Sequence, residues 1–379
     1  MTRPLVVLGA TGSIGRQALD VARRLDLPVA AIVSRRGSDA LATIADAFPE
    51  ASIGVAAPIG SERERFSAYG SRVRFGPDAA AELASTPGTI VVNGIVGAAG
   101  LRSSIAALEA GNRLALANKE SLVAGGPVVL DALRRGDGEL IPVDSEHSAV
   151  FQCLSGEEIG SVRRLIITAS GGPFRGRSRD ELENVSPAEA LRHPTWSMGS
   201  RITIDSATLA NKGFEVIEAH HLFGVAYPQI DVVVHPQSIV HSFVEFEDGS
   251  VKAQLGEPDM RIPIQYAITY PQRLAGGSPV EPSSWTLTFE EPDRVAFPTL
   301  DIVIEAGVRG GSVPAVVNAA DEIAVAAFLT GRLGFLGIAS ILEQTMERVP
   351  QVELSAVEDV IQVDGEARSV ANTLIGGAC

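Results

Sequence analysis

Over the first 144 positions, apolar residues come in short runs separated by stretches where they recur at helical spacing. The clearest runs are 5–8, 29–33, 89–92, 113–116 and 140–143, each long enough for a strand buried on both faces. Strands alternating with helices predict a doubly wound parallel sheet, the α/β class. From about 145 to 270 the pattern becomes mixed, and residues 241–246 and 250–255 flank Asp248-Gly249 as a hairpin does. Residues 271–298 carry Pro271, Pro279, Pro282, Pro292 and Pro298 with Gly276-Gly277, which suits an extended linker. Beyond 299, Ala, Val, Ile and Leu recur at helical spacing and predict a small helical domain. The expected division is therefore 1–144, 145–270, a linker at 271–298, and 299–379. No internal repeat interrupts it.

Charge narrows the partners. A chain of 379 residues with net charge -15 is a poor match for nucleic acid or an anionic membrane surface. An anionic substrate then needs a local cluster of donors. The two cysteines, Cys153 and Cys379, give neither a disulfide framework nor a cysteine zinc signature. The N-terminus runs directly into an apolar strand with no signal-peptide pattern, so the expected location is cytoplasmic.

Candidate chemistry begins after the first strand. Gly9-Ala10-Thr11-Gly12-Ser13-Ile14-Gly15 leads into an amphipathic stretch at 17–25, so the glycines fall at a strand-to-helix turn. There the backbone approaches a pyrophosphate and the helix N-terminus stabilises its charge. The second strand ends at Arg35-Arg36, where an NADH site usually has an acid. Two guanidinium groups favour the 2′-phosphate of NADPH. The plainer alternative is a solvated arginine loop.

Asp144-Ser145-Glu146-His147 follows the strand at 140–143. In an extended segment Asp144 and Glu146 point the same way and offer oxygens to one hard divalent cation. The alternative is that these acids cap a helix. A third acid, Glu215, lies in a run expected to be one helix over 206–222, capped by Asp205 or Ser206. Ser206, Asn211 and Lys212 supply hydroxyl, amide and ammonium donors for a phosphate; as a surface pair, Lys212 and Glu215 add little. A second anion-facing turn is Ser170-Gly171-Gly172. His193 to Gly199 reads as a flap with Trp196 as its apolar lid and Gly199 as its hinge. His235 and His241 lie near a strand end, where either suits a core histidine.

The blocks GATGSIG at 9–15, LANKESLV at 116–123, PVDSEH at 142–147, SGGPF at 170–174, HPTWSMG at 193–199, DSATLANKGFEVIEA at 205–219, HPQSIVHS at 235–242 and LGEPDMR at 255–261 occur in this order. In them the chain resembles the 1-deoxy-D-xylulose 5-phosphate reductoisomerase family along essentially its whole length. The resemblance implies a Rossmann-like NADPH domain, an α+β catalytic domain and a C-terminal helical domain. It implies Asp144, Glu146 and Glu215 as ligands of Mn²⁺, Mg²⁺ or Co²⁺, with Ser145 beside the same substrate oxygens. Ser170, Ser206, Asn211 and Lys212 are implied to hold the phosphate; His193, Trp196 and Met198 to form the flap; and His241 to position the sugar phosphate. Gly9, Thr11, Gly12, Ser13, Ile14, Arg35, Arg36, Asn118, Glu120 and Gly199 are implied on the cofactor side, with Lys119 near both metal and nicotinamide. A retro-aldol and aldol rearrangement followed by hydride transfer, and a homodimer, are further implications.

Two readings compete. A semialdehyde-type dehydrogenase also opens on such a loop but needs a nucleophilic cysteine, and Cys153 lies in the apolar run 150–154, which reads as a buried helix face. An NADPH-sensing protein without turnover needs no metal.

Overall fold

Seven parallel strands, two more than the clearest runs, build the N-terminal sheet. They are β1 (Leu5–Leu8), β2 (Val29–Ser34), β3 (Ser52–Val55), β4 (Val73–Phe75), β5 (Ile90–Asn93), β6 (Arg113–Leu116) and β7 (Glu139–Pro142). Their order is β4-β3-β2-β1-β5-β6-β7. The computed structural model describes residues 3–196 and 199–377, and its chain forms two units. The first takes the chain through Ser121, then Val128–Ser148 and Asp259–Ser278. β3 and β4 gave no sequence signal because they are short: β3 reads Ser-Ile-Gly-Val, and β4 is a three-residue edge with Arg74 exposed. Gly54 is needed in β3, since a Cβ there would press on the Val33 and Leu83 side chains at 3.0 Å.

The chain leaves β1 on one side for β2 to β4 and returns on the other with β5. In such a sheet, ligands bind beyond the C-terminal strand ends where the order reverses. Here that is the crevice after β1 and β5, where the glycine loop lies.

The second unit comprises Leu122–Pro127, Ala149–Pro258 and the chain from Pro279. Its mixed sheet has β8 (Val162–Ala169), β9 (Ile230–Val234), β10 (Val240–Phe246) and β11 (Val251–Leu255) in the order β11-β10-β8-β9. β10 and β11 form the expected antiparallel hairpin, with Gly249 at φ +84° in its turn. Phe174, Phe214, Phe297, Phe328 and Phe335 anchor the core of this unit. Of the proline-rich stretch, Glu290 is tied down by two backbone hydrogen bonds with Val234, at 2.8 and 3.0 Å. The helices Thr299–Arg309, Val313–Leu329, Gly337–Arg348 and Val357–Gly377 follow, as the spacing predicts.

The run expected as one helix over 206–222 is two. Ser200–Thr208 and Ala210–Phe223 meet at Leu209, a buried leucine in the left-handed region at φ +63°. Such a conformation costs a non-glycine residue about 1–2 kcal/mol, so the surroundings must enforce it. The Thr208 hydroxyl accepts the Ala210 N–H at 3.3 Å, and the Thr299 hydroxyl donates to the Thr208 carbonyl.

Candidate active site

The glycine loop of the first unit shows why each glycine is there. Gly9 has φ +76°, and a Cβ on it would lie 2.6 Å from the Gly94 carbonyl oxygen. Gly15 sits on the backbone of Gly9 and Ala10 with no room for a side chain. Gly12 precedes the helix Ser13–Arg24, so the amides of the exposed Gly12 and Ser13 stand at a helix N-terminus, with Ile14 half-buried behind them. Thr11 is hydrogen-bonded through its hydroxyl to Ser34 at 3.0 Å. Of the two arginines after β2, Arg36 is held by Glu62 at 3.0 Å, which lowers the Glu62 carboxyl to about 2. Arg35 is exposed.

Opposite the glycine loop, Asn118 and Glu120 are buried and shape the chain after β5. Asn118 Nδ2 donates to the carbonyls of Ile95 and Gly97 at 2.7 and 3.0 Å and to Glu120 Oε2 at 2.8 Å. Glu120 Oε1 accepts the Gly97 N–H at 3.0 Å. The sequence marked both residues but gave no hint that they act on a loop more than twenty residues upstream.

Asp144 and Glu146 depart from the expected extended geometry. The helix Ser145–Cys153 starts directly after Asp144, so Glu146 lies in its first turn. Asp144 Oδ1 accepts the Glu146 N–H at 3.3 Å, the Asp144 carbonyl accepts the Ser148 N–H at 2.8 Å, and the Ser145 hydroxyl donates to Glu146. The capping alternative is therefore the geometry seen, and it leaves carboxylate oxygens at a helix N-terminus. Lys119 Nζ stands 3.1 Å from Asp144 Oδ2, and the fully buried His147 has Nδ1 3.7 Å from Asp144 Oδ1.

In the second unit, the Ser170-Gly171-Gly172 turn follows β8. Gly172, at φ +68°, places its missing Cβ 2.6 Å from the Ser206 carbonyl oxygen, so the turn lies against the last turns of the Ser200–Thr208 helix. His193 fixes the turn from the other side. Its Nδ1 accepts the N–H groups of Thr195 and Trp196 at 3.1 and 2.9 Å, so the proton is on Nε2, which faces Ser170 Oγ at 3.0 Å. Burial, helped by the Lys212 charge, lowers His193 to about 4 and keeps this neutral tautomer. Ser170 Oγ also accepts the Gly172 N–H at 3.2 Å. Trp196 leans towards His241, ring centroids 6.4 Å apart. Met198 lies outside the described residues, and Gly199 caps the helix that follows.

Asn211, Lys212 and Glu215 are all buried on the Ala210–Phe223 helix. Lys212 Nζ donates to Glu215 Oε2 at 2.7 Å and Asn211 Nδ2 donates to Oε1, so the expected phosphate donors hold the expected metal ligand. His235 is a core histidine: Nε2 accepts the Ile239 N–H at 3.2 Å, leaving Nδ1–H to donate to the Thr288 carbonyl at 2.9 Å. Cys153 is buried, and its thiol is pushed up to about 11 by burial, an inert setting for a nucleophile. Among the described residues no helix is long and apolar enough to cross a membrane.

Three family models match: 1-deoxy-D-xylulose 5-phosphate reductoisomerase over residues 5–126, that family's C-terminal domain over 140–223, and the DXP reductoisomerase C-terminal domain over 255–370. The reductoisomerase of Geobacillus sp. is 48% identical over 377 residues, covering 97% of this chain and 99% of its own. That of Pelotomaculum thermopropionicum is 48% identical over 383 residues, covering 98% of each. The chain belongs to the 1-deoxy-D-xylulose 5-phosphate reductoisomerase family. Among solved structures, the Zymomonas mobilis reductoisomerase in complex with NADPH matches at TM-score 0.92 and 42% identity, over 99% of both chains. A reductoisomerase in complex with NADPH, fosmidomycin and magnesium matches at 0.90 and 36%, over 99% of this chain and 98% of that one.

Proposed function

We infer that the chain converts 1-deoxy-D-xylulose 5-phosphate to 2-C-methyl-D-erythritol 4-phosphate, an NADPH- and divalent-metal-dependent step of isoprenoid biosynthesis by the non-mevalonate route. It is an NADP-dependent oxidoreductase. The observation that carries this reading is relatedness at 48% identity over 97% of the chain.

Asp144, Glu146 and Glu215 are assigned to the cation. All are oxygen donors, which suits Mg²⁺ or Mn²⁺. Asp144 and Glu215 have each drawn a lysine ammonium in their own unit, as carboxylates suited to a cation do. When bound, the cation polarises the substrate ketone and stabilises charge on oxygen, and the nicotinamide supplies the hydride.

The protein's own groups bind and orient. In this reading Ser170, Ser206, Asn211 and Lys212 hold the phosphate, with Lys212 turning from Glu215 to the dianion once the carboxylate has its cation. Neutral His193 keeps the Ser170 turn in shape, and Ser145 faces the sugar oxygens. Trp196 and His241, with Met198 and Gly199, exclude water above the sugar backbone. Asn118 and Glu120 set the loop after β5 that borders the cofactor, and Lys119 keeps positive charge near it. Thr11, Gly12, Ser13 and Ile14 receive the pyrophosphate. Arg35 is the better candidate for the 2′-phosphate, because Arg36 is engaged by Glu62.

A homodimer and a cytoplasmic location belong to the same reading. The edge strand β11 carries exposed Val251 and Leu255, apolar groups that a second chain would cover.

The test follows NADPH absorbance on adding deoxyxylulose phosphate to metal-free protein, then after restoring Mg²⁺ or Mn²⁺. Oxidation that needs both substrate and metal is expected. Oxidation indifferent to EDTA, or none with both present, overturns the assignment.

A further inference from the structure

Beneath the proposed phosphate turn lies a buried charged cluster that the chemistry above does not use. Arg201, in the first turn of the Ser200–Thr208 helix, donates to Glu322 Oε1 at 2.8 Å, Asn318 Oδ1 at 3.0 Å and Asp321 Oδ2 at 3.3 Å, all on the Val313–Leu329 helix. One turn along its own helix, Asp205 Oδ2 is 3.6 Å from Arg201 Nε. Glu322 also accepts from Arg368 of the last helix, which pairs with Asp364 at 2.6 Å. Asp321 is fully buried, and the nearby Asp205 carboxyl is buried with it.

Stability is a poor explanation for this cluster. Burying two acids beside a half-buried guanidinium costs desolvation that their attraction repays only with full hydrogen bonding. Among the described residues, Asp321 Oδ1 and Asn318 Nδ2 have no hydrogen-bond partner. Burial raises Asp321 well above the usual carboxylate range, with Arg201 and Asp205 opposing the rise and Glu322 adding to it. A hydrophobic cluster of similar volume would hold the helices together at lower cost. What charged groups add is a fixed register between two helices, and the residue after Asp205 is Ser206.

We propose that Arg201, Asp205 and Asp321 are positioning residues through which the C-terminal helices set the height of Ser206 against the Ser170–Gly172 turn, and so tune affinity for the substrate phosphate. The proposal rests on the reading of Ser206 as a phosphate ligand. Leu209 strengthens the argument: with the chain turned sharply at that residue, a shift of the Ser200–Thr208 helix is not absorbed by a longer continuous helix. It moves Ser206 relative to Asn211 and Lys212.

The experiment measures kcat and the KM for each substrate in turn, with the other substrate and the metal saturating. Asp321→Leu removes the polar contacts, and Asp321→Asn keeps the shape and the oxygen that accepts from Arg201. The expected result is a KM for deoxyxylulose phosphate raised about tenfold in Asp321→Leu, with kcat and the KM for NADPH within about twofold, and recovery to near wild type in Asp321→Asn. Because Asp321→Leu can fail to fold, Glu322→Gln, which loosens Arg201 at a partly exposed site, serves as the second variant, with KM expected up about threefold. Unchanged KM in whichever variants fold, or a parallel fall of kcat and both affinities, overturns the proposal. Ser206→Ala separates the two levels: if it leaves KM unchanged the phosphate reading fails, and if it raises KM while neither Asp321→Leu nor Glu322→Gln does, only the positioning role fails.

Discussion

Each unit sets a lysine against a carboxylate at its functional end, and the two pairs are built differently. In the first, Lys119 follows β6 and Asp144 follows the neighbouring β7, so adjacent parallel strands bring the charges to 3.1 Å. In the second, Lys212 and Glu215 are neighbours on one helix at i and i+3, 2.7 Å apart. Asp144 retains 15% side-chain exposure whereas Glu215 retains 1%. The first pair stands at a helix start, partly wetted, with the Glu146 N–H on its carboxylate. The second is dry, with the Lys212 and Asn211 side chains donating to its carboxylate. A dry carboxylate gains more from a cation and suffers more when its partner is removed.

The largest effect that sharpens this contrast is catalytic. Glu215→Gln is expected to lower kcat by at least about 100-fold, the scale of losing a preorganised electrostatic group, while NADPH binding by fluorescence titration is retained. Retained turnover would remove Glu215 from the metal. The next effect is on stability without metal. Glu215→Gln removes the carboxylate charge 2.7 Å from the buried Lys212 ammonium and should cost about 3 kcal/mol in urea unfolding, against about 1 kcal/mol or less for Asp144→Asn. Equal losses would erase the distinction between the wet and the dry pair.

A smaller effect concerns pH. His193 titrates near 4 in the folded chain against an ordinary 6.5, so the folded state resists a proton that the unfolded chain accepts. Its contribution to stability is therefore complete above about pH 6.5 and declines as pH falls from there towards 4. Nitrogen NMR is expected to show an Nε2–H tautomer with no titration between pH 6 and 8, and a histidine midpoint near 6.5 would break the account of the Ser170 turn.

The parallel sheet was legible because β1, β2, β5, β6 and β7 each carry an apolar run of three or more residues, with polar residues only at their ends, as strands covered on both faces do. β3 and β4 escaped because a glycine and a solvent-facing arginine dilute runs of three or four residues. The elbow at Leu209 left no trace for a different reason. Left-handed backbone is usually announced by glycine or asparagine, and here tertiary contacts around a leucine impose it. Asp144 and Glu146 were recognised as ligand chemistry, but spacing alone does not distinguish an extended pair from a helix start. The acid cluster around Arg201 was invisible because its members lie more than a hundred residues apart.

The Ser170 hydroxyl receives hydrogens from two directions, the imidazole edge of His193 and the amide of Gly172, which uses both of its lone pairs. Its own hydrogen is then the only thing left to offer. A visitor that can only donate, such as an ammonium, finds no welcome at that oxygen, whereas one rich in lone pairs does. The turn thus sorts molecules by hydrogen-bond polarity before any formal charge is counted.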